Sequence, residues 1–328
     1  MRDASVRAHA LRCLRGVPIG LALTVCTGPG AATPTAPVTT APAAPSAPAA
    51  TAGPIAPVNS GPAIAVLGTE NFYADLLARV GGARVKASSL LNDPNADPHE
   101  FEASPRAAQA VADSKLVIVN GVGFDDFMDK LLAASPRPDR VVIDVQNLLG
   151  RRDDENAHVW YDPVTMPKVA DAAAAALTKL EPQNAAYFAA QQANYRASLK
   201  PIGDKVASLK ATYAGAPVAF TESVAGYLAE AIGLRVLTPP AFQEAIEAGT
   251  DPAPADVAAE RDLLTGKKVK VLLYNSQVAT PLTKDIRELA ERSGVPVVGF
   301  AETIPPAFTT FQEWQLAQLD ELEKALAK

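Results

Sequence analysis

Histidine is scarce in this 328-residue chain, which has three: His9, His99 and His158. His9 falls in a basic N-terminal stretch, so His99 and His158 are the imidazoles left for a folded domain. Each stands beside an Asp-Pro pair, His99 in Asn95-Ala96-Asp97-Pro98-His99-Glu100-Phe101-Glu102 and His158 in Asn156-Ala157-His158-Val159-Trp160-Tyr161-Asp162-Pro163. Neutral imidazole is the commonest metal ligand and a ready general base. One histidine in a loop is usually a polar surface group. Two in a His-poor chain, each near Asp-Pro, raise the case for ligation modestly. No Ser–His–Asp set and no His-Glu-x-x-His helix accompanies them. Asn120-Gly121-Val122-Gly123 lacks the third glycine of a dinucleotide loop and reads as a tight turn.

The elements around these residues alternate in type. Apolar strands are expected at 64–67, 84–88, 116–119 and 140–144, with helices at 72–80, 105–112 and 124–134 between them. His99 then lies in a strand-to-helix turn, the edge at which open α/β sheets bind ligands. From Val164 to Leu180, and from Pro182 to Tyr213, the pattern is helical and Ala-rich. Pro182 suits a first helical turn, whereas Pro201 should kink or split its helix. Strands resume at 217–220, 269–274 and 295–300, with helices at 224–232, 280–293 and 311–328. The expected fold is α/β: two βα lobes with mostly parallel sheets, 63–163 and 214–328, joined by a long helical segment, 164–213. Trp160 and Trp314 are expected in the core or between the lobes.

The net charge of −6 offers no basic face for nucleic acid, and 48% apolar residues suffice for sizeable cores. Arg2, Arg7, Arg12 and Arg15 precede an apolar run, Val17 to Val25, that is too short to span a bilayer. Leu23-Thr24-Val25-Cys26 resembles the lipobox of bacterial lipoproteins, with Val25 where that pattern favours Gly, Ala or Ser. Residues 1–26 are thus expected to be a signal peptide with Cys26 lipidated, the alternative being an ordinary signal cleaved slightly later. Lipid chains hold a protein at a membrane without a spanning helix. Residues 27–62, rich in Ala, Pro and Thr, should form an extended tether.

Two segments carry a wider resemblance, which covers roughly residues 63 to 328. Asp97-Pro98-His99-Glu100-Phe101-Glu102-Ala103-Ser104-Pro105 and His158-Val159-Trp160-Tyr161-Asp162-Pro163 are similar, in order and spacing, to two segments of the Zn²⁺/Mn²⁺ solute-binding proteins of ABC importers. The resemblance implies that His99 and His158 are metal ligands. Ala219-Phe220-Thr221-Glu222-Ser223-Val224-Ala225-Gly226 resembles the family's third ligand segment, placing Glu222 at the ligand position. A helix-start carboxylate stabilised by the macrodipole is the plain alternative there. Glu302, just past the last strand, is implied as the fourth ligand, while Tyr274-Asn275-Ser276-Gln277 departs from the acidic residues many relatives carry.

The function implied by the resemblance is extracytoplasmic capture of one Zn²⁺ or Mn²⁺ ion between the lobes, handed to an ABC permease by a membrane-anchored monomer that is not an enzyme. Two imidazoles and two carboxylates suit either Zn²⁺, or Mn²⁺ with bidentate carboxylates. Absence of a third ligand histidine leans towards Mn²⁺, while intrinsic affinity favours Zn²⁺. A long connecting helix implies that closure is a small tilt. The rivals are an extracytoplasmic metallohydrolase, with an open coordination position for water, and a binder of metal chelates or an adhesin on the same scaffold.

Overall fold

Residue 58 and residues 61–93 and 101–328 are described by a computed structural model of the chain. His99 and Cys26 lie outside the described residues. The chain starts with β1 (Ile64–Glu70), α1 (Asn71–Gly81), β2 (Val85–Leu91), α2 (Pro105–Asp113), β3 (Leu116–Val119), α3 (Phe127–Ala134), β4 (Val141–Asp144) and α4 (Val145–Leu149). Helices α5 (Thr165–Leu180), α6 (Ala185–Ser198) and α7 (Lys200–Tyr213) come next. The second half is β5 (Pro217–Phe220), α8 (Gly226–Ile232), β6 (Arg235–Val236), α9 (Pro240–Glu247), α10 (Pro254–Thr265), β7 (Val271–Asn275), α11 (Pro281–Ser293), β8 (Val297–Phe300) and α12 (Phe311–Leu326).

Two four-stranded sheets result, ordered β2-β1-β3-β4 and β6-β5-β7-β8, and every pairing is parallel. Parallel strands are covered by crossover helices on both faces, so their sequences become continuous apolar runs. Leu116, Val117 and Ile118 of β3, and Val271, Leu272 and Leu273 of β7, are accordingly all fully buried. Helix ends carry their own signals. In α11 the Thr280 hydroxyl caps the Thr283 N–H, Pro281 occupies the first turn, and Gly294 ends the helix at φ 75°. Gly68 of β1 lets α1 approach closely, since a Cβ there would come within 2.4 Å of the Ala74 nitrogen.

The expected split at Pro201 is present. α6 ends at Ser198, Leu199 keeps helical angles, and Pro201 sits in the first turn of α7, where its missing N–H costs little. α6 packs on α1 of the first lobe, and α7 packs on α8 and α12 of the second. The lobes therefore share a back wall. They also share an aromatic cluster: the Phe72 ring lies 4.7 Å from Trp160 and 6.2 Å from Trp314, and Tyr161 lies 5.7 Å from Phe300. Trp160 and Trp314 are both 1% exposed, as packing residues should be.

Polar clasps lock the same seam. The Asn71 side chain donates to the Ile304 carbonyl at 3.0 Å and accepts from the Ile304 N–H at 2.8 Å. The Tyr161 hydroxyl reaches the Ala301 carbonyl at 2.8 Å. A buried guanidinium, Arg84, grips Glu181 through two nitrogens at 2.8 and 2.5 Å, fastening the start of β2 to the end of α5. Its two-pronged geometry is the arrangement in which an ion pair of low exposure holds best.

Candidate metal centre

The strand ends of both sheets meet at one cleft. After β4 the chain runs through α4 and a charged loop to His158, which starts a short 3-10 turn, Val159–Tyr161. After β5 it reaches Glu222 in extended conformation, at φ −158°, before the turn Ser223–Ala225. Glu222 thus precedes the helical turn rather than sitting inside it. After β8 comes Glu302. All three side chains are 0% exposed. Their potential ligand atoms lie within 4.8 Å of one another.

His158 Nε2 is 2.9 Å from Glu302 Oε1 and 3.9 Å from Glu222 Oε1. Metal bonds of about 2.0–2.2 Å put tetrahedral donors roughly 3.3–3.6 Å apart, so seating an ion requires His158 and Glu302 to part slightly and Glu222 to draw in slightly. The two carboxylates repel each other in a low-dielectric setting, and a divalent cation between them removes that repulsion.

The ring of His158 is held from all sides. Its edge contacts run to Trp160, at 5.2 Å between centroids, and to Phe124, at 5.9 Å. Asn156 fixes its tautomer. The Asn156 Nδ2 donates to the Ser223 carbonyl at 2.7 Å, which turns Oδ1 towards the histidine. That Oδ1 accepts from the His158 backbone N–H at 2.9 Å and from ring Nδ1 at 2.8 Å. With the proton on Nδ1, the Nε2 lone pair is the one presented to a metal. Asn156 also ties the two lobes together, since its carbonyl accepts from the Tyr227 hydroxyl at 2.9 Å. We expect Asn156→Ala to weaken metal binding about 10–100-fold, read by competition titration, because partners behind ligands typically matter by that amount. An unchanged dissociation constant would show that Trp160 and Phe124 orient the ring unaided.

The second lobe has its own frame. Asn275, at the end of β7, donates through Nδ2 to Glu222 Oε1 at 2.9 Å and to Glu302 Oε1 at 3.0 Å. Gln277 Oε1 accepts from the backbone N–H of Glu302 at 2.6 Å and of Thr303 at 2.9 Å. Sequence reasoning noted 274–277 only as a departure from acidic residues and missed this support. A legible signal existed for Asn156, whose Asn-x-His spacing permits the local turn it makes.

A cavity of about 710 Å³ opens beside the centre, lined by Asp153, Asp154, Glu155, Glu244, Glu247 and Ser223 among others. Glu247 Oε1 stands 3.8 Å from His158 Nδ1, and Glu247 Oε2 accepts from the Ser223 hydroxyl at 2.5 Å. Two of the lining acids are already paired, Glu155 with Arg151 at 3.0 Å and Asp154 with Arg152 at 2.9 Å, and Arg151 also reaches Asp162 at 2.7 Å and stacks over the Tyr227 ring. The 120–123 segment is the tight turn anticipated. Gly121, Val122 and Gly123 all have positive φ, and the Asp125 carboxylate accepts from the Asn120 and Gly121 N–H groups. Val122 at φ 55° is strained for a β-branched residue, and its N–H is held by Gln146 Oε1.

Of the four residues proposed as ligands, the structure brings His158, Glu222 and Glu302 together, and His99 lies outside the described residues. Among known proteins, the chain is 21% identical over 287 residues to the metal ABC transporter substrate-binding lipoprotein FimA of Streptococcus parasanguinis, spanning 79% of this chain and 88% of that protein. It is 23% identical over 145 residues to the manganese-binding lipoprotein MntA of Halalkalibacterium halodurans, an alignment spanning 43% of this chain and only 48% of that protein. The periplasmic zinc-binding protein TroA of Treponema pallidum shares the fold at a TM-score of 0.69 and 19% identity, covering 82% of this chain and all of TroA. FpvC of Pseudomonas aeruginosa, solved with Mn²⁺, matches at 0.66 and 20%, over 81% of this chain and 98% of FpvC. The model of the family described as zinc-uptake complex component A, periplasmic (ZnuA), matches residues 66–325. The chain belongs to that family, in line with the metal-importer resemblance of its two histidine segments.

Proposed function

We propose that the protein captures one divalent transition-metal ion outside the cytoplasm and delivers it to an ABC permease. The observation that carries this reading is the convergence of His158, Glu222 and Glu302 into one buried cluster at the lobe seam. His99 is the fourth ligand, contributed by the first lobe, so an ion ties the lobes to each other. The metal takes the place of a proton in the contact between His158 Nε2 and Glu302, so binding weakens under acid.

The shared back wall and aromatic seam favour release by a small tilt that separates His158 from Glu222 and Glu302, not by a wide hinge. The acidic cavity beside Glu247 suits attraction of cations towards the centre. The protein is a carrier and not an enzyme, in keeping with a family of solute-binding components. No helix among the described residues is long and apolar enough to cross a membrane. We assign residues 1–26 as signal with lipidated Cys26, 27–62 as tether, 63–163 and 214–328 as the lobes, and 164–213 as their connector, acting as a monomer on the outer face of the membrane.

The test is to strip the purified protein and titrate Mn²⁺ and Zn²⁺ into wild type and His99→Ala. One tight equivalent in wild type, lost in His99→Ala, is expected. Absence of a tight site for a bare ion would sink this reading and move chelate binding to the front. A tight site that also carries a readily exchanged water and hydrolyses test esters would instead favour the metallohydrolase.

A further inference from the structure

His158, Glu222 and Glu302 are all 0% exposed, so an ion passes in or out of the centre only when the seam between the lobes parts. The chain crosses once from the first sheet to the second, through α5, α6 and α7. The last two of these helices belong to different lobes, since α6 packs on α1 while α7 packs on α8 and α12. They meet at Leu199, where the helical hydrogen-bond ladder is at its thinnest. Pro201 has no N–H, so the Ala197 carbonyl lacks the donor four residues on that a continuous helix would supply. The N–H groups of Leu199 and Ile202 turn instead to carbonyls three residues back, Arg196 at 3.2 Å and Leu199 at 3.1 Å. Gly203 follows, a poor helix former, and a Cβ on it would meet nothing within 4 Å.

A cavity of about 250 Å³ lies against this break. Leu199, Ile202 and Gly203 line it from the connector, Trp160 from the first lobe, and Leu228 and Phe311 from the second. Trp160 is also the ring whose centroid lies 5.2 Å from that of His158. Packed interiors do not deform continuously, so two lobes can tilt only where their side chains have room to shift. We propose that the break from Leu199 to Gly203 is the pivot on which the lobes tilt to admit and release the ion, with the cavity as the space that the tilt uses. This rests on the metal-capture reading above and deepens it. Helices α6 and α7 stay rigid, each carried by its own lobe, and the bend is taken up where the ladder is broken. A shift of Trp160 towards the cavity draws its neighbour His158 away from Glu222 and Glu302. Entry and exit use the same opening, so the pivot governs the rates of both and leaves affinity little changed.

The experiment uses the full chain as wild type, Pro201→Ala and Gly203→Leu. Pro201→Ala returns an N–H to the ladder, and Gly203→Leu places a side chain in open space on the cavity wall. Stopped-flow mixing with Zn²⁺ gives the association rate, and a chase with excess chelator gives the release rate. One net hydrogen bond alters a rate by about five- to tenfold, so each variant should slow both association and release by about that factor. The dissociation constant, their ratio, should hardly move. If Gly203→Leu does not fold, Pro201→Ala carries the test. Unchanged or faster exchange would overturn the proposal, even with thermal stability raised, and would leave the break a feature of packing alone. So would slower release with association unchanged, the mark of a tighter centre and not of a stiffer pivot. Failure of wild type to bind Zn²⁺ or Mn²⁺ at all would instead remove the metal-capture reading itself.

Discussion

His158→Ala is expected to abolish tight metal binding, lowering affinity by a factor of about 100 or more. Four-ligand zinc sites bind with roughly 10–16 kcal/mol, so one ligand is responsible for about 3 kcal/mol on average. At this position the loss should be larger than average, because His158 faces both carboxylates at once, at 2.9 and 3.9 Å. Removing the ring also leaves two buried acids without the imidazole that faces both of them. Isothermal titration with a chelator competitor measures this directly. Retention of affinity within tenfold of wild type would mean that the ion sits elsewhere, and the convergence of His158, Glu222 and Glu302 would lose its meaning.

The second large effect is on stability and lies far from the metal. Glu260, on α10, is 0% exposed, and its carboxylate has no well-formed hydrogen bond, only the nearby Thr238 hydroxyl. Burial pushes its carboxyl from the ordinary 4.5 up to about 7, with Thr238 pulling weakly the other way. A carboxyl whose folded value is raised holds its proton longer in the folded protein than in the unfolded chain. Its contribution to stability is therefore intact below about pH 4.5 and is lost as pH climbs through about 7. The shift amounts to about 3 kcal/mol once ionisation is complete. Glu260→Gln keeps the size and cannot ionise. Relative to wild type it should gain about 3 kcal/mol between pH 5 and pH 8, measured by urea unfolding at each pH. Parallel curves for the two proteins would show that the carboxyl ionises normally in the fold. Burial also raises Glu70 and Asp125, the latter to about 6, so wild type keeps a slope of the same sign even without Glu260.

The same residue explains part of what the sequence hides. α10 is a solid helix with Pro254 in its first turn, yet its inward residues are Glu260 and Leu264. A carboxylate on the buried face breaks the apolar period by which an amphipathic helix is recognised. β6 is two residues long and largely exposed, below any pattern threshold. The longer elements were legible because parallel strands write themselves as apolar runs, and because α2 and α11 announce their starts with Ser104-Pro105 and Thr280-Pro281. In the centre, His158, Glu222 and Glu302 are reached through the resemblance of their segments to the metal-importer family, since an acid at a strand end is by itself an ordinary helix-start group. Asn275 and Gln277 could not be read, since an amide's value lies in which way it is turned, and only long-range contacts decide that here.

The two sheets also have identical connectivity, β2-β1-β3-β4 matching β6-β5-β7-β8. Two residues beyond the pair Gly68↔Ile118 stand Glu70 and Asn120, and two beyond Phe220↔Leu273 stand Glu222 and Asn275. Thr69-Glu70 and Thr221-Glu222 thus occupy one address in two copies of the same unit, each facing an asparagine across the sheet. The chain thus carries one unit twice, with the labour divided between the copies. In one half the asparagine turned to the acid, and both belong to the cluster of His158, Glu222 and Glu302. In the other, Asn120 turned to Tyr73 and the Ala157 carbonyl, and Glu70 was sealed into the interior. A single-site carrier needs that asymmetry, for a cleft furnished alike on both sides would hold four acids around one cation.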